Sequence, residues 1–307
     1  MRAAAFPRST AVFVAAALAG LALQSLLNPG ADARILLLTV FVVLLGLPHG
    51  ALDPLVARRA RVWTGLPGLI GFLALYVLLA GATLLLWLWL PGVALVLFLA
   101  YAAWHFGGDW DDALPPPRRL LPGTLIVTGP MLWWGAEVES YFATLAGPAA
   151  AAGLRQILPT VALVALVGTL VLALRQWRSR RDVAIELGVL ALACALLPPL
   201  LFFVVYFCGL HSPRHLGEAV RGERPSHVWA VGVAILLVTL GGAFSLWQLA
   251  PPGHWEEGLL RTVFIGLAAL TVPHMLLVDA AENRGWRERL KGAREVPQGG
   301  AARVHRA

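Results

Sequence analysis

The chain has 307 residues, 59% of them hydrophobic and only 13% charged, with a mean hydropathy of +0.75. So few charges over that length exclude a soluble domain and point to an all-α, polytopic membrane protein. The net charge of +7 does not imply a nucleic-acid partner, because the cations are nearly all arginines in short loops and the C-terminal tail, where topology signals sit.

Apolar runs follow one another, each bounded by arginine or by Pro/Gly. The first four are residues 10–27, 34–53, 66–90 and 92–107, the third ending in Trp87 and Trp89 at a membrane interface. A weaker fifth, 120–136, is broken at Gly129-Pro130, and 157–177 is the sixth. Residues 183–210 are long for one helix, and Pro198-Pro199 near the middle predicts two helices, with Pro199 at the first helical position of the second. Residues 228–249 and 258–278 complete a count of about ten spans (eight to ten). This gives a transmembrane domain over 1–281 and a basic, disordered cytoplasmic tail over 282–307. With the N-terminus cytoplasmic, the inner loops collect Arg58, Arg59, Arg61, Arg118, Arg119, Arg175, Arg178, Arg180, Arg181, Arg214, Arg221 and Arg224. A bacterial or archaeal cell membrane is the expected location. Cys194 and Cys208 lie in apolar runs without metal or redox spacing and read as packing residues.

Of the eight histidines, His305 falls in the tail, His227 at a span boundary and His254 in a Pro/Gly turn, all expected to be solvated. The other five, His49, His105, His211, His215 and His274, fall in or at the ends of apolar runs, where ionisable groups are rare and usually functional. His49, His105, His211 and His274 stand 15, 13, 11 and 16 residues into spans that all run inward. At about 1.5 Å per residue these depths differ by less than two turns, so the rings can meet at one level in the inner half of the membrane. His211 and His215 are one helical turn apart, the spacing with which two imidazoles grip one metal ion, although Pro213 between them can kink the helix. Asp53 follows His49 and Asp109 follows His105 at the same four-residue offset, and Asp279 follows His274, each placed to accept the second N–H of a ligating ring. Trp104, Phe106, Tyr206 and Phe207 are candidates to line a slot for a long apolar substrate entering from the bilayer. Imidazole suits zinc, copper, iron and nickel alike, so spacing alone does not name the metal.

Four segments in order carry a resemblance: Gly-Leu-Pro-His-Gly-Ala-Leu-Asp at 46–53, Trp-His-Phe-Gly-Gly-Asp at 104–109, His-Ser-Pro-Arg-His at 211–215 and Val-Pro-His-Met-Leu-Leu-Val-Asp at 272–279. Together they resemble the Brp/Blh family of membrane β-carotene 15,15′-dioxygenases. The resemblance implies a non-haem Fe(2+) enzyme that splits the central double bond of β-carotene with O2 into two retinal molecules, with a functional link to a rhodopsin. It also implies that His49, His105, His211 and His215 are the catalytic iron ligands, with His274 a further ligand or a residue beside the substrate. Two other readings stay open from the residues: a membrane di-iron desaturase or hydroxylase of lipids or carotenoids, and a bis-histidine haem electron-transfer protein.

The arginine pattern predicts that both termini are cytoplasmic and that Pro198-Pro199 lies near the outer face. Cysteine-accessibility labelling checks this; an external C-terminus would make the span count odd and scatter the histidines over both leaflets.

Overall fold

The structure, a computed structural model, describes the backbone of residues 7–249 and 254–294, and their side chains except those of 49, 249 and 278–294. Among the described residues every regular element is a helix. In chain order they are α1 (Arg8–Leu27), α2 (Ala31–Phe41), α3 (Leu47–Gly50), α4 (Asp53–Arg59), α5 (Gly65–Trp89), α6 (Pro91–Gly107) and α7 (Pro116–Thr128). Then come α8 (Gly135–Ala146), α9 (Pro148–Gln176), α10 (Arg181–Leu196), α11 (Pro199–Tyr206), α12 (Ser212–Ala219), α13 (Pro225–Leu249) and α14 (Trp255–Arg294).

Six helices among the described residues are long and apolar enough to cross a membrane: Arg8–Leu27, Gly65–Trp89, Pro91–Trp110, Pro148–Gln176, Pro225–Gln248 and Trp255–Leu277. The remaining expected spans are shorter or interrupted. α10 and α11 are separated at Pro198, with Pro199 opening α11 as its position in the sequence predicts. The run 120–136 is divided between α7 and α8 by a tight turn at Gly129–Leu132, because Pro130 has no N–H to continue the helix. α9 starts at Pro148, earlier than the apolar run at 157, since the intervening alanines are strong helix formers. α14 stays helical to Arg294, and residues 295–307, the end of the expected tail, lie outside the described residues.

Two π-helical turns interrupt the bundle, at Val42–Gly46 between α2 and α3 and at Phe207–His211 between α11 and α12. Each ends two residues before a proline, Pro48 and Pro213 respectively. A proline ring clashes with the carbonyl four residues back, and a widened turn relieves that clash without breaking the helix. The chain thus stays helical through Pro213. The two turns meet: a Cβ on Gly46 would come within 2.6 Å of the Phe207 ring, so glycine is what lets them touch.

Side-chain bonds sort the helix ends into two groups. Arg58 pairs with Glu223 at 2.9 Å, Arg59 donates to the carbonyls of Glu218, Ala219 and Arg221, and Gln176 donates to the Ala113 carbonyl. These gather the arginine-bearing loops at one end. At the other, Arg34 pairs with Glu137 at 3.2 Å, and Trp87 and Arg261 donate to the carbonyls of Leu145 and Thr144.

Small residues set the spacing of α6 and α7. A Cβ on Gly123 would overlap the Ala103 carbonyl oxygen, and one on Gly107 would stand 2.5 Å from the Arg119 carbonyl oxygen. Helices in lipid associate through such close packing because no hydrophobic drive separates helix from acyl chain. Gly123→Ala must push α7 off the helix that carries His105 and is expected to cost about 1–3 kcal/mol. Gly153→Ala meets nothing within 4 Å and is expected to be neutral or stabilising, up to about 1 kcal/mol. Thermal unfolding in detergent separates the two; equal stability of both variants would contradict the packing.

Candidate metal centre

His105 sits two residues before the end of α6, His211 closes the second π-turn, His215 lies in α12 and His274 lies beyond Pro273 in α14. Their rings form one cluster, with centroids 4.4 Å apart for His211–His215, 4.9 Å for His105–His211, 5.5 Å for His105–His274 and 5.6 Å for His105–His215. His105, His211 and His215 each offer a ring nitrogen within 4.8 Å of the others, close enough for one transition-metal ion. The side chain of His49 lies outside the described residues, as does that of Asp279.

Two buried carboxylates hold the rings from behind. Asp109, whose side chain is 1% exposed, faces His211 Nδ1 at 3.3 Å and His215 Nε2 at 3.5 Å, and its Oδ2 accepts the Tyr206 hydroxyl at 2.7 Å. Asp53 faces His274 Nδ1 at 2.8 Å and accepts the Tyr76 hydroxyl at 2.9 Å. An ionised carboxylate only accepts, so Nδ1 of His211 and of His274 is the donating nitrogen and Nε2 the one able to ligate. The same device thus occurs twice, a Tyr–Asp–His chain that joins separate stretches of the sequence each time.

The pairing differs from the four-residue offsets in the sequence. α6 gives way at Gly107 to the tighter 3-10 turn Gly108–Trp110, which turns Asp109 to His211 and His215 rather than back to His105. Asp53 likewise starts a new helix after the break at Ala51-Leu52, and its described imidazole partner is His274.

Of the aromatic candidates, Phe106 and Phe207 are buried against His211, at centroid distances of 5.0 and 5.4 Å. Phe207 stacks on Phe203 at 5.0 Å, and Phe203 reaches Phe264 of α14 at 5.8 Å, so an aromatic wall runs from the cluster into the bundle. Tyr206 is fully buried with its hydroxyl committed to Asp109. Trp104 is 36% exposed, with the Arg119 guanidinium 4.7 Å over its ring. His227 and His254 are exposed. Sequence reasoning passed over Tyr76 and Glu186, although a lone phenol and a lone carboxylate inside apolar runs were visible signals.

The β-carotene family profile, described as "Beta-carotene 15,15'-dioxygenase", matches residues 40–282. A protein named Beta-carotene 15,15'-dioxygenase from an uncultured marine bacterium is 35% identical over 258 residues, covering 78% of this chain and 90% of the relative. A protein named probable beta-carotene 15,15'-dioxygenase Blh from Halobacterium salinarum is 27% identical over 310 residues, covering 85% of this chain and 86% of that relative. No solved structure matches the chain.

Alanine at His105, His211 or His215 is expected to strip most bound transition metal from the purified protein, because a missing imidazole in a buried shell is not replaced by water. Asp53→Asn and Asp109→Asn should weaken metal binding about 10- to 100-fold. His227→Ala and His254→Ala should bind as the parent does. Elemental analysis after dialysis against a chelator reads all of these, and full metal retention by both His211→Ala and His215→Ala would contradict the site.

Proposed function

The chain belongs to the beta-carotene 15,15'-dioxygenase family, and from that membership we propose how its histidine cluster serves central cleavage of β-carotene to retinal. The observation that carries the reading is the convergence of three imidazoles within 4.8 Å of one another inside the segment that the family profile covers.

The donor set suits non-haem Fe(2+): neutral imidazoles, oriented from behind by carboxylates, with no thiolate in the cluster. His105, His211 and His215 would hold it, joined by His49 on the strength of the resemblance and by His274, whose ring Asp53 aims into the cluster. When bound, the iron would supply activation of O2 for cleavage of the 15,15′ double bond to two aldehydes.

The protein's own residues hold the reaction's geometry. Asp109 and Asp53 fix the tautomer and the direction of their histidines, and Tyr206 and Tyr76 hold those carboxylates in turn. Phe106, Phe203, Phe207 and Phe264 form an apolar wall beside the cluster, matched to a polyene and hostile to water. Such a substrate arrives from the bilayer rather than from solution. The arginine-bearing end would be the cytoplasmic one, with the shorter and interrupted segments bringing the crossings to about ten, in a bacterial or archaeal cell membrane. Retinal made there would supply a rhodopsin. No observation favours the desaturase or the haem reading.

Expression in bacteria that make β-carotene is expected to bleach the cells and accumulate retinal, with loss of product under anaerobic growth or iron chelation. Pigment extraction and chromatography check this. Apocarotenals of unequal length would overturn central cleavage, and absence of product from folded, iron-loaded protein would overturn the substrate.

A further inference from the structure

Between the paired histidines stands Arg214, which the metal site does not use directly. Its Nη1 donates to the backbone carbonyl of Asp109 at 2.7 Å, and its Nη2 donates to Glu186 Oε1 at 2.6 Å. Glu186, on α10, is 1% exposed and fully engaged: Oε1 also accepts the Thr10 hydroxyl at 2.6 Å, and Oε2 accepts the Trp110 indole N–H at 3.0 Å. Asp109 and Trp110 are consecutive residues of the turn that follows α6. The Arg214–Glu186 pair therefore pins this turn at two adjacent points, the carbonyl of one residue and the indole of the next.

The turn's other ties are the Asp111–Arg119 ion pair, the buried Trp110 side chain and the Tyr206 hydroxyl on the Asp109 carboxylate; the pinning matters because Arg214 grips the Asp109 backbone itself. α6 has ended at Gly107, and Gly108 adds backbone freedom before Asp109. The Asp109 carboxylate must nevertheless face His211 and His215 together. A guanidinium is a planar fork that can serve two acceptors at fixed angles, which an ammonium on a flexible stem cannot. A buried ion pair is weak evidence for stability, since desolvation offsets much of its attraction, and holding a specific arrangement is the better-attested role.

We propose that Arg214, anchored on buried Glu186, is a positioning residue that aims the Asp109 carboxylate at His211 and His215 and thereby sets metal affinity. The proposal rests on the metal-centre reading above.

The test uses the full-length protein in detergent, stripped of metal and titrated anaerobically with Fe(2+), with the thermal transition of the metal-free form measured in parallel. Arg214→Met is expected to weaken iron binding about 10- to 100-fold, the usual scale for residues behind a ligand. Glu186→Gln, which keeps shape but loses the charge, should weaken it in the same direction by less. The Arg214→Met/Asp109→Asn double variant should bind no more weakly than the worse single variant, because both changes act through one carboxylate. A merely structural role would instead lower the thermal transition and leave the iron affinity of the folded fraction alone. Should Arg214→Met fail to fold, Arg214→Lys carries the test, since it keeps the charge but reaches one acceptor, and a measurable loss of iron affinity is expected. Arg214→Met or Arg214→Lys binding iron within about twofold of wild type, or losses that multiply with Asp109→Asn, would overturn the proposal. Wild-type protein that takes up no iron would overturn the metal reading itself and this inference with it.

Discussion

A carboxylate with 1% of its surface exposed has no water to solvate it, so the bundle must supply its partners. Asp109 meets this demand with Tyr206, His211 and His215, drawn from a π-turn and the helices on either side of it. Each partner is a group that a hydrocarbon environment would otherwise penalise, and together they satisfy one another. The rest of the site follows from this constraint. The imidazoles that face Asp109 also lie against the His105 ring, and Asp53 repeats the carboxylate arrangement with His274 and Tyr76.

Backbone geometry makes room for that convergence. A regular helix through Pro48 or Pro213 would clash or kink, and a kink at Pro213 would turn His211 away from His215. The π-turns absorb the prolines while keeping the chain helical, and they bring Gly46 against Phe207 beside the cluster. Below the site, Arg59 caps the carbonyl end of α12 and Arg58 pairs with Glu223, so the helix bearing His215 is also held to α4, which opens with Asp53. The arginines at that end thus combine topology with tertiary contacts.

Much of this was legible in the sequence because membrane burial makes polar residues conspicuous. Counting residues inward from the span starts placed His105, His211 and His274 at one depth, and their rings do meet. The helix break at Pro198-Pro199 was legible because two consecutive prolines have few placements in a helix. The carboxylate pairings were not, because the four-residue rule holds only within a continuous helix, and α6 stops two residues before Asp109. Arg214 was hidden by company: beside other loop arginines it reads as a topology signal, and only the tertiary fold brings Glu186 to it. The division of α7 from α8 was legible as well, because Gly129-Pro130 interrupts the apolar run at the point where the helix stops.

The central claim is that a histidine cluster holds the reactive metal. X-ray absorption at the iron edge of the loaded, full-length protein tests it most directly. The account predicts a first shell dominated by nitrogen at imidazole distance, with the multiple-scattering pattern of at least three rings. A shell of oxygen ligands without imidazole scattering, or one containing sulfur, would contradict it.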